Sequence, residues 1–375
     1  MPLSSCTLAE QWQSVISGTH ANLSLYPDMK QWRKILGKSI QNPVDLDRFW
    51  KIDTEILRTV TAKYPMRINP YYLSLIKRPG DPLWRQAVPD AAELNDTVCL
   101  QDPLNEENLS PVPNLVHKYP DRALFLVHDQ CAVYCRFCTR KRKVGTRAMH
   151  TDIRTINAGL DYLKQTPAIK DVLVSGGDPL LLDDSILDFI LTRLRAIRHI
   201  DIIRIGSRVP CTLPMRVTTK LAAVLKRYHP LYINTHFNHP DEVTPEAAAA
   251  CNRLADAGIP LGSQTVLLKG VNDDAEIIKQ LLYKLLRIRV KPYYLFQADM
   301  TKGTNHFRTS IEKGLAIMHS LIGHVSGLAV PTYAVDAPGG GGKIPLQPDY
   351  VLSCGRKLVF RNYCGATYSY DNPSD

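Results

Sequence analysis

Ala123-Leu-Phe-Leu-Val127-His128-Asp-Gln-Cys131-Ala-Val-Tyr-Cys135-Arg-Phe-Cys138 holds the key to the fold. Its five leading apolar residues read as a strand buried on both faces, and such strands belong to parallel sheets covered by helices. Three cysteines follow at once. Toward the C-terminus, apolar runs recur at 171–175, 201–205, 231–235, 261–267 and 292–296. Between them, 151–165, 185–197, 218–228, 244–257 and 275–287 carry helical spacing of apolar residues. Six strands alternating with helices predict an α/β fold, either a full or partial β/α barrel or an open doubly wound sheet. In each case chemistry belongs at the carboxyl ends of the strands. Distinctive residues do follow the predicted strands: His128 and the cysteines, Gly176-Gly177-Asp178, Gly206-Ser207-Arg208, His236-Phe237-Asn238-His239 and Gln297-Ala298-Asp299.

Outside this repeat, helix-like stretches at 8–16, 29–38 and 44–61 and turns at Asn69-Pro70 and Arg78-Pro79-Gly80 form a helical preface. An extended tail at 331–345 contains Asp336-Ala-Pro-Gly339-Gly-Gly-Gly342-Lys343. The expected organisation is a mainly helical region over 1–115, a barrel-like region over 116–330 and a C-terminal segment over 331–375.

The 375 residues are 45% hydrophobic and 22% charged, enough for a full core and too apolar for a disordered chain. No apolar run spans a membrane, and the N-terminus lacks a basic region followed by an apolar stretch, so a soluble cytoplasmic protein is expected. Basic residues outnumber acidic ones 46 to 36, a net charge of +10 that raises nucleic acid as a partner. The basic run Arg136, Arg140, Lys141, Arg142, Lys143, Arg147 overlaps the cysteines and has few interleaved aromatics, so small anionic ligands are the nearer explanation and no nucleic acid is expected. Nine cysteines in so long a chain do not form a disulfide framework. Cys6, Cys99, Cys211, Cys251, Cys354 and Cys364 stand alone.

Cys131, Cys135 and Cys138 do not. Three thiolates at CxxxCxxC spacing can grip three irons of a [4Fe-4S] cluster and leave the fourth open to a ligand. Zinc is the rival, but it usually takes four ligands. Gly176-Gly177-Asp178 is by itself an ordinary turn. The run Gly339 to Lys343 lacks the first glycine and the Ser/Thr of a phosphate-binding loop, since Ala337 and Ile344 occupy those places. A glycine-padded lysine instead lets backbone approach a flat cofactor while the amine bonds to pyridoxal phosphate.

The cysteine spacing in this β/α repeat resembles the radical S-adenosylmethionine superfamily, with its fold a partial (β/α)6 radical SAM barrel. The joint presence of Cys131-Ala-Val-Tyr-Cys-Arg-Phe-Cys-Thr-Arg-Lys-Arg142 and Asp336-to-Lys343 resembles one family within it, the lysine 2,3-aminomutases. Further matching segments are Tyr119-Pro-Asp-Arg122, Arg204-Ile-Gly-Ser-Arg208 and His306-Phe-Arg308-Thr. The resemblance implies a [4Fe-4S] cluster on the three cysteines and S-adenosylmethionine beside Ser175, Gly176, Gly177, Asp178, His236 and Gln264. It also implies pyridoxal 5′-phosphate on Lys343 near Arg122, and a substrate bound by Arg140, Asp299 and Asp336. An isomerase interconverting L-lysine and L-β-lysine is thereby expected, since a carboxylate pair suits the lysine ε-ammonium and Arg140 suits its carboxylate. Arginine, or a lysine serving elongation factor P modification, is the alternative substrate. A donor such as flavodoxin or ferredoxin and a homo-oligomer are also expected. Zinc is not, because the chain reaches Asp375 without the C-terminal cysteine cluster of longer relatives, and Asp274 stands where its partner cysteine would align.

Overall fold

The apolar run before the cysteines forms β2 (Arg122–His128), and each later run forms a strand parallel to its predecessor. In the computed structural model, which describes residues 27–146 and 148–373, these are β3 (Asp171–Gly176), β4 (Ile202–Gly206), β5 (Leu231–Thr235), β6 (Leu261–Leu267) and β7 (Val290–Gln297). A seventh parallel strand, β8 (Thr332–Ala337), extends the six expected, formed by the start of the extended tail. Two antiparallel strands flank the series, β1 (Leu115–Tyr119) on β2 and β9 (Gly342–Pro345) on β8. The nine-stranded order β1 to β9 curls until its edges meet, where Lys343 N donates to Tyr119 Oη at 2.9 Å. The sheet is therefore a nearly closed partial barrel rather than an open doubly wound one.

Among the described residues four α-helices, α1 (Pro27–Gly37), α2 (Thr54–Lys63), α3 (Pro70–Leu75) and α4 (Pro82–Ala87), precede the sheet. Asn69, read as a turn residue, is an N-cap that accepts from Tyr72 N, and Asp81, just after the expected turn at Arg78-Pro79-Gly80, is another that accepts from Leu83 N and Trp84 N, each with proline at the first helical position. The connecting helices are α5 (Ile153–Gln165), α6 (Asp184–Arg195), α7 (Val209–Thr212), α8 (Thr219–Lys226), α9 (Pro245–Asp256), α10 (Ala275–Arg287) and α11 (Ile311–Leu321). Alternate strand residues such as Val172, Val174, Ile203, Ile205 and Ile233 are fully buried. Each such side chain contributes about 1.5–3 kcal/mol. Past the sheet edge, β10 (Val351–Cys354), β11 (Lys357–Arg361) and β12 (Thr367–Asp371) make a separate antiparallel sheet, largely exposed. The helix expected at 8–16, Cys6 and Arg147 lie outside the described residues.

Candidate active site at the carboxyl end of the sheet

A cavity of about 510 Å³ opens at the carboxyl ends of the parallel strands, a size typical of cofactor and substrate sites. All fourteen residues singled out from the sequence line it: the three cysteines, Ser175, Gly176, Gly177, Asp178, His236, Gln264, Arg122, Arg140, Asp299, Asp336 and Lys343. The structure thus brings together groups spread from residue 122 to residue 343.

The cysteine loop is fixed by close backbone approach. Gly177 N donates to His128 O at 2.5 Å and Asp178 N to Gln130 O at 2.7 Å. A side chain on Gly176 or Gly177 would collide with those carbonyls, so the glycines let β3 close onto the loop. Asn69 Nδ2 braces the loop from below, donating to Ala132 O at 3.2 Å and to Thr212 O at 2.8 Å. Among the described residues no three His, Cys, Asp or Glu side chains converge on the scale of a single metal ion. Cys131, Cys135 and Cys138 all line the cavity, and three thiols on one loop suit the irons of a polynuclear cluster. Burial pushes the Cys138 thiol up to about 11, so iron must displace protons to bind there. Arg208 Nε and Asn234 Nδ2, both on the cavity wall, are buried donors without partners among the described residues, as a polar cofactor would require.

The basic run on this loop meets acids of the same chain rather than only the small anions expected for it. Arg136 places Nε and Nη2 on Glu93 at 2.9 and 2.5 Å, and Lys141 Nζ reaches the same carboxylate at 2.8 Å. Burial alone would raise Glu93, but Arg136 and Lys141 outweigh it and hold its carboxyl below the usual range. Arg142 pairs with Asp102 at 2.9 Å, and Lys143 with Glu107 at 3.3 Å. Arg140 gives its Nε and Nη2 to Glu106 at 3.0 and 2.6 Å. Glu106 thus fixes the plane of Arg140 through Nε and Nη2, and among the described residues Nη1 has no hydrogen-bond partner. Local periodicity could not reveal Glu106 or Glu93. The available signal was charge complementarity between the acids at 93, 102, 106 and 107 and the bases at 136–143.

Asp178 serves the fold. Its carboxylate accepts from Ser207 Oγ at 2.7 Å, Arg208 N at 2.7 Å, Leu180 N at 3.1 Å and Val209 N at 3.1 Å. It therefore shapes the loop after β4 and has little left to offer a ligand. Burial pushes His236 down to about 3, so its ring is neutral, with Nε2 against Asn238 Oδ1 at 2.9 Å.

On the other wall, Gly339, Gly340 and Gly342 all have positive φ, at 74°, 89° and 94°, which lets a tight turn join β8 to β9. Across that turn Lys343 Nζ lies 3.2 Å from Asp336 Oδ2, and Lys118 Nζ lies 3.7 Å from Asp336 Oδ1. Burial and then the neighbouring Asp336 push Asp299 up to about 7. Arg122 stacks on the Tyr119 ring with its guanidinium carbon 4.2 Å from the centroid.

A three-cysteine loop after the first strand of a nearly closed parallel sheet, with a Gly-Gly turn after the second, defines a radical S-adenosylmethionine enzyme. Residues 125–282 match the radical SAM superfamily, and residues 318–375 match the lysine-2,3-aminomutase family. An L-lysine 2,3-aminomutase of Methanococcus maripaludis is 50% identical, covering 95% of this chain and 84% of that protein. One from Clostridium subterminale is 47% identical over 92% of this chain and 85% of its own. A glutamate 2,3-aminomutase of Clostridioides difficile is 43% identical over 92% of this chain and 82% of its own. The chain belongs to the lysine 2,3-aminomutase family and is an isomerase. The cofactors of that family are a [4Fe-4S] cluster, S-adenosylmethionine and pyridoxal 5′-phosphate. No helix among the described residues is long and apolar enough to cross a membrane.

Proposed function

We propose that this protein interconverts L-lysine and L-β-lysine, moving the amino group between carbons 2 and 3 with pyridoxal 5′-phosphate as a cofactor. One observation carries the choice of lysine: the Asp299 and Asp336 pair lies in the same cavity as Arg140, and Asp336 already accepts a primary ammonium, that of Lys343, at 3.2 Å. A substrate with a carboxylate at one end and an ammonium at the other meets a complementary charge at both. A second carboxylate, as in glutamate, would face the acid pair and be repelled.

Cys131, Cys135 and Cys138 would hold the cluster, and Ser175, Gly176, Gly177, His236 and Gln264 would line the S-adenosylmethionine site. Lys343 and Arg122 would hold pyridoxal phosphate. When bound, the cluster and S-adenosylmethionine supply a carbon-centred radical, and pyridoxal phosphate supplies a π-system conjugated to the migrating nitrogen. Arg140 orients the substrate carboxylate through the donors that Glu106 does not occupy. Asp299 and Asp336 fix the far ammonium, which sets which carbon faces the radical source. Neutral His236 neither gives up nor takes a proton near pH 7, so it serves as wall and hydrogen-bond partner. Phe137 and Phe307, with ring centroids 6.2 Å apart, pack beside the cysteines and keep water from that wall.

The test is an anaerobic assay of reconstituted protein with lysine, S-adenosylmethionine, pyridoxal phosphate and dithionite in place of a flavodoxin or ferredoxin donor. β-Lysine is the expected product, and its absence from protein with both cluster and pyridoxal phosphate bound overturns the reading. Arginine, glutamate and elongation factor P offered in competition identify the substrate instead if lysine is not preferred.

A further inference from the structure

Arg208, in the loop after β4, has been given no step in the reaction, yet both terminal nitrogens of its guanidinium are held by protein groups. It is more than nine-tenths buried. Its Nη1 donates to Cys135 Sγ at 2.8 Å, and its Nη2 to Gln86 Oε1 and Glu242 Oε1, both at 2.6 Å. The guanidinium carbon lies 5.2 Å from the Phe137 ring centroid and 5.7 Å from that of Tyr72. Glu242 is itself fixed, accepting from Tyr72 Oη at 2.8 Å, Asn238 N at 2.6 Å and His239 N at 3.0 Å. The guanidinium can therefore neither rotate away nor lose its charge.

A positive donor fixed on a ligand sulfur, away from water, lowers the energy of added negative charge on the group that sulfur holds. Hydrogen bonds to the sulfurs are among the main determinants of iron–sulfur potentials. We propose that Arg208 is a positioning residue for the cluster. Through Cys135 Sγ it raises the reduction potential, so that a one-electron donor can fill the cluster; the electron enters from that donor, and no proton moves at Arg208. Gln86 and Glu242 hold the guanidinium on the sulfur. This rests on the three cysteines holding a [4Fe-4S] cluster.

Redox titration of the reconstituted holoenzyme, followed by electron paramagnetic resonance with iron and sulfide assayed on the same samples, provides the test. Arg208→Gln is expected to titrate at a more negative potential than the unaltered protein at equal iron content, with Arg208→Lys in between because it keeps the charge and loses the fork. An unchanged potential in Arg208→Gln at full iron content overturns the proposal. Should Arg208→Gln fail to hold its cluster, unaltered protein carrying guanidinium-15N arginine decides the matter. Hyperfine coupling of that nitrogen to the reduced cluster supports the contact, and its absence overturns it. Failure of the unaltered protein to take up any cluster is distinct, since it removes the cluster reading itself and the proposal with it.

Discussion

The cysteine loop is held by buried polar groups from the N-terminal helices, β3 and the loop after β4, whereas the lysine across the cavity stands on a sheet edge with about a third of its side chain exposed. Glu93, Arg136 and Lys141 are almost fully buried beneath the cysteines. Lys343, by contrast, follows a run of glycines and leads into an exposed three-stranded sheet. The difference follows from what each wall is proposed to do. A cluster needs sulfurs fixed in place, which desolvated charge pairs and backbone contacts provide. A lysine that must bond to a cofactor and give it up again needs an accessible amine with a partner close by, which the edge strand and Asp336 provide.

If the walls are independent, each can be lost without the other. Cys138→Ser is expected to remove cluster iron and all activity while pyridoxal phosphate still binds. Lys343→Ala should abolish activity and cofactor absorbance while iron is retained. Loss of iron from Lys343→Ala would break the comparison. Glu93→Gln should destabilise the fold by about 3–5 kcal/mol in urea unfolding, because Arg136 and Lys141 are left buried with an uncharged partner. Stability within about 0.5 kcal/mol of the unaltered protein would show that the network beneath the cysteines is not what holds them.

Effects at the lysine wall should fall on turnover more than on stability. Asp299→Asn should lower kcat/KM for lysine by about two to three orders of magnitude, the equivalent of about 2.7–4.1 kcal/mol and within the range for breaking a buried charge pair. The same change should raise the melting temperature above pH 7. Asp299 has its folded-state value raised to about 7, so its contribution to stability declines as pH climbs from the ordinary carboxylate range to about 7. Removing the carboxyl removes that loss. For the unaltered enzyme, kcat/KM for lysine should fall up to tenfold per unit as pH drops below about 7, where Asp299 takes a proton. In Asp336→Asn the turning point should move to lower pH, since a like charge is gone. Smallest of all, Glu106→Gln should raise KM for lysine several-fold with little change in kcat, because Arg140 keeps its charge and loses its fixed plane. An unchanged KM would mean that Arg140 is oriented by something else.

The strand periods and those of the connecting helices were legible, with the six expected strands matching within two residues, whereas the stretch expected as helix at 44–61 divides into a 3-10 helix at Pro43–Arg48 and α2 from Thr54. Residues 332–337, read only as an extended tail, become a seventh parallel strand because β7 offers a free edge. β12 (Thr-Tyr-Ser-Tyr-Asp), with no apolar run and every residue exposed, carried no comparable signal. In the cavity, each of the fourteen residues expected to meet a cofactor or substrate reached the wall. The residues that hold those in place did not stand out, because Glu106 meets Arg140 across 34 positions, Glu93 meets Arg136 across 43 and Arg208 meets Cys135 across 73. Charge told the same story: part of the +10 excess lies on a loop whose bases are paired with Glu93, Asp102, Glu106 and Glu107.

By itself the sequence determined the order of strands and helices, the three-cysteine loop and the glycine-padded lysine, since apolar period and residue spacing act between near neighbours in the chain. Only the tertiary structure decided that the sheet curls until Tyr119 meets Lys343, which acid each base faces, and that a guanidinium rests on Cys135. Coulomb attraction and hydrogen bonding depend on separation in space and on burial from water, and the folded chain alone sets both.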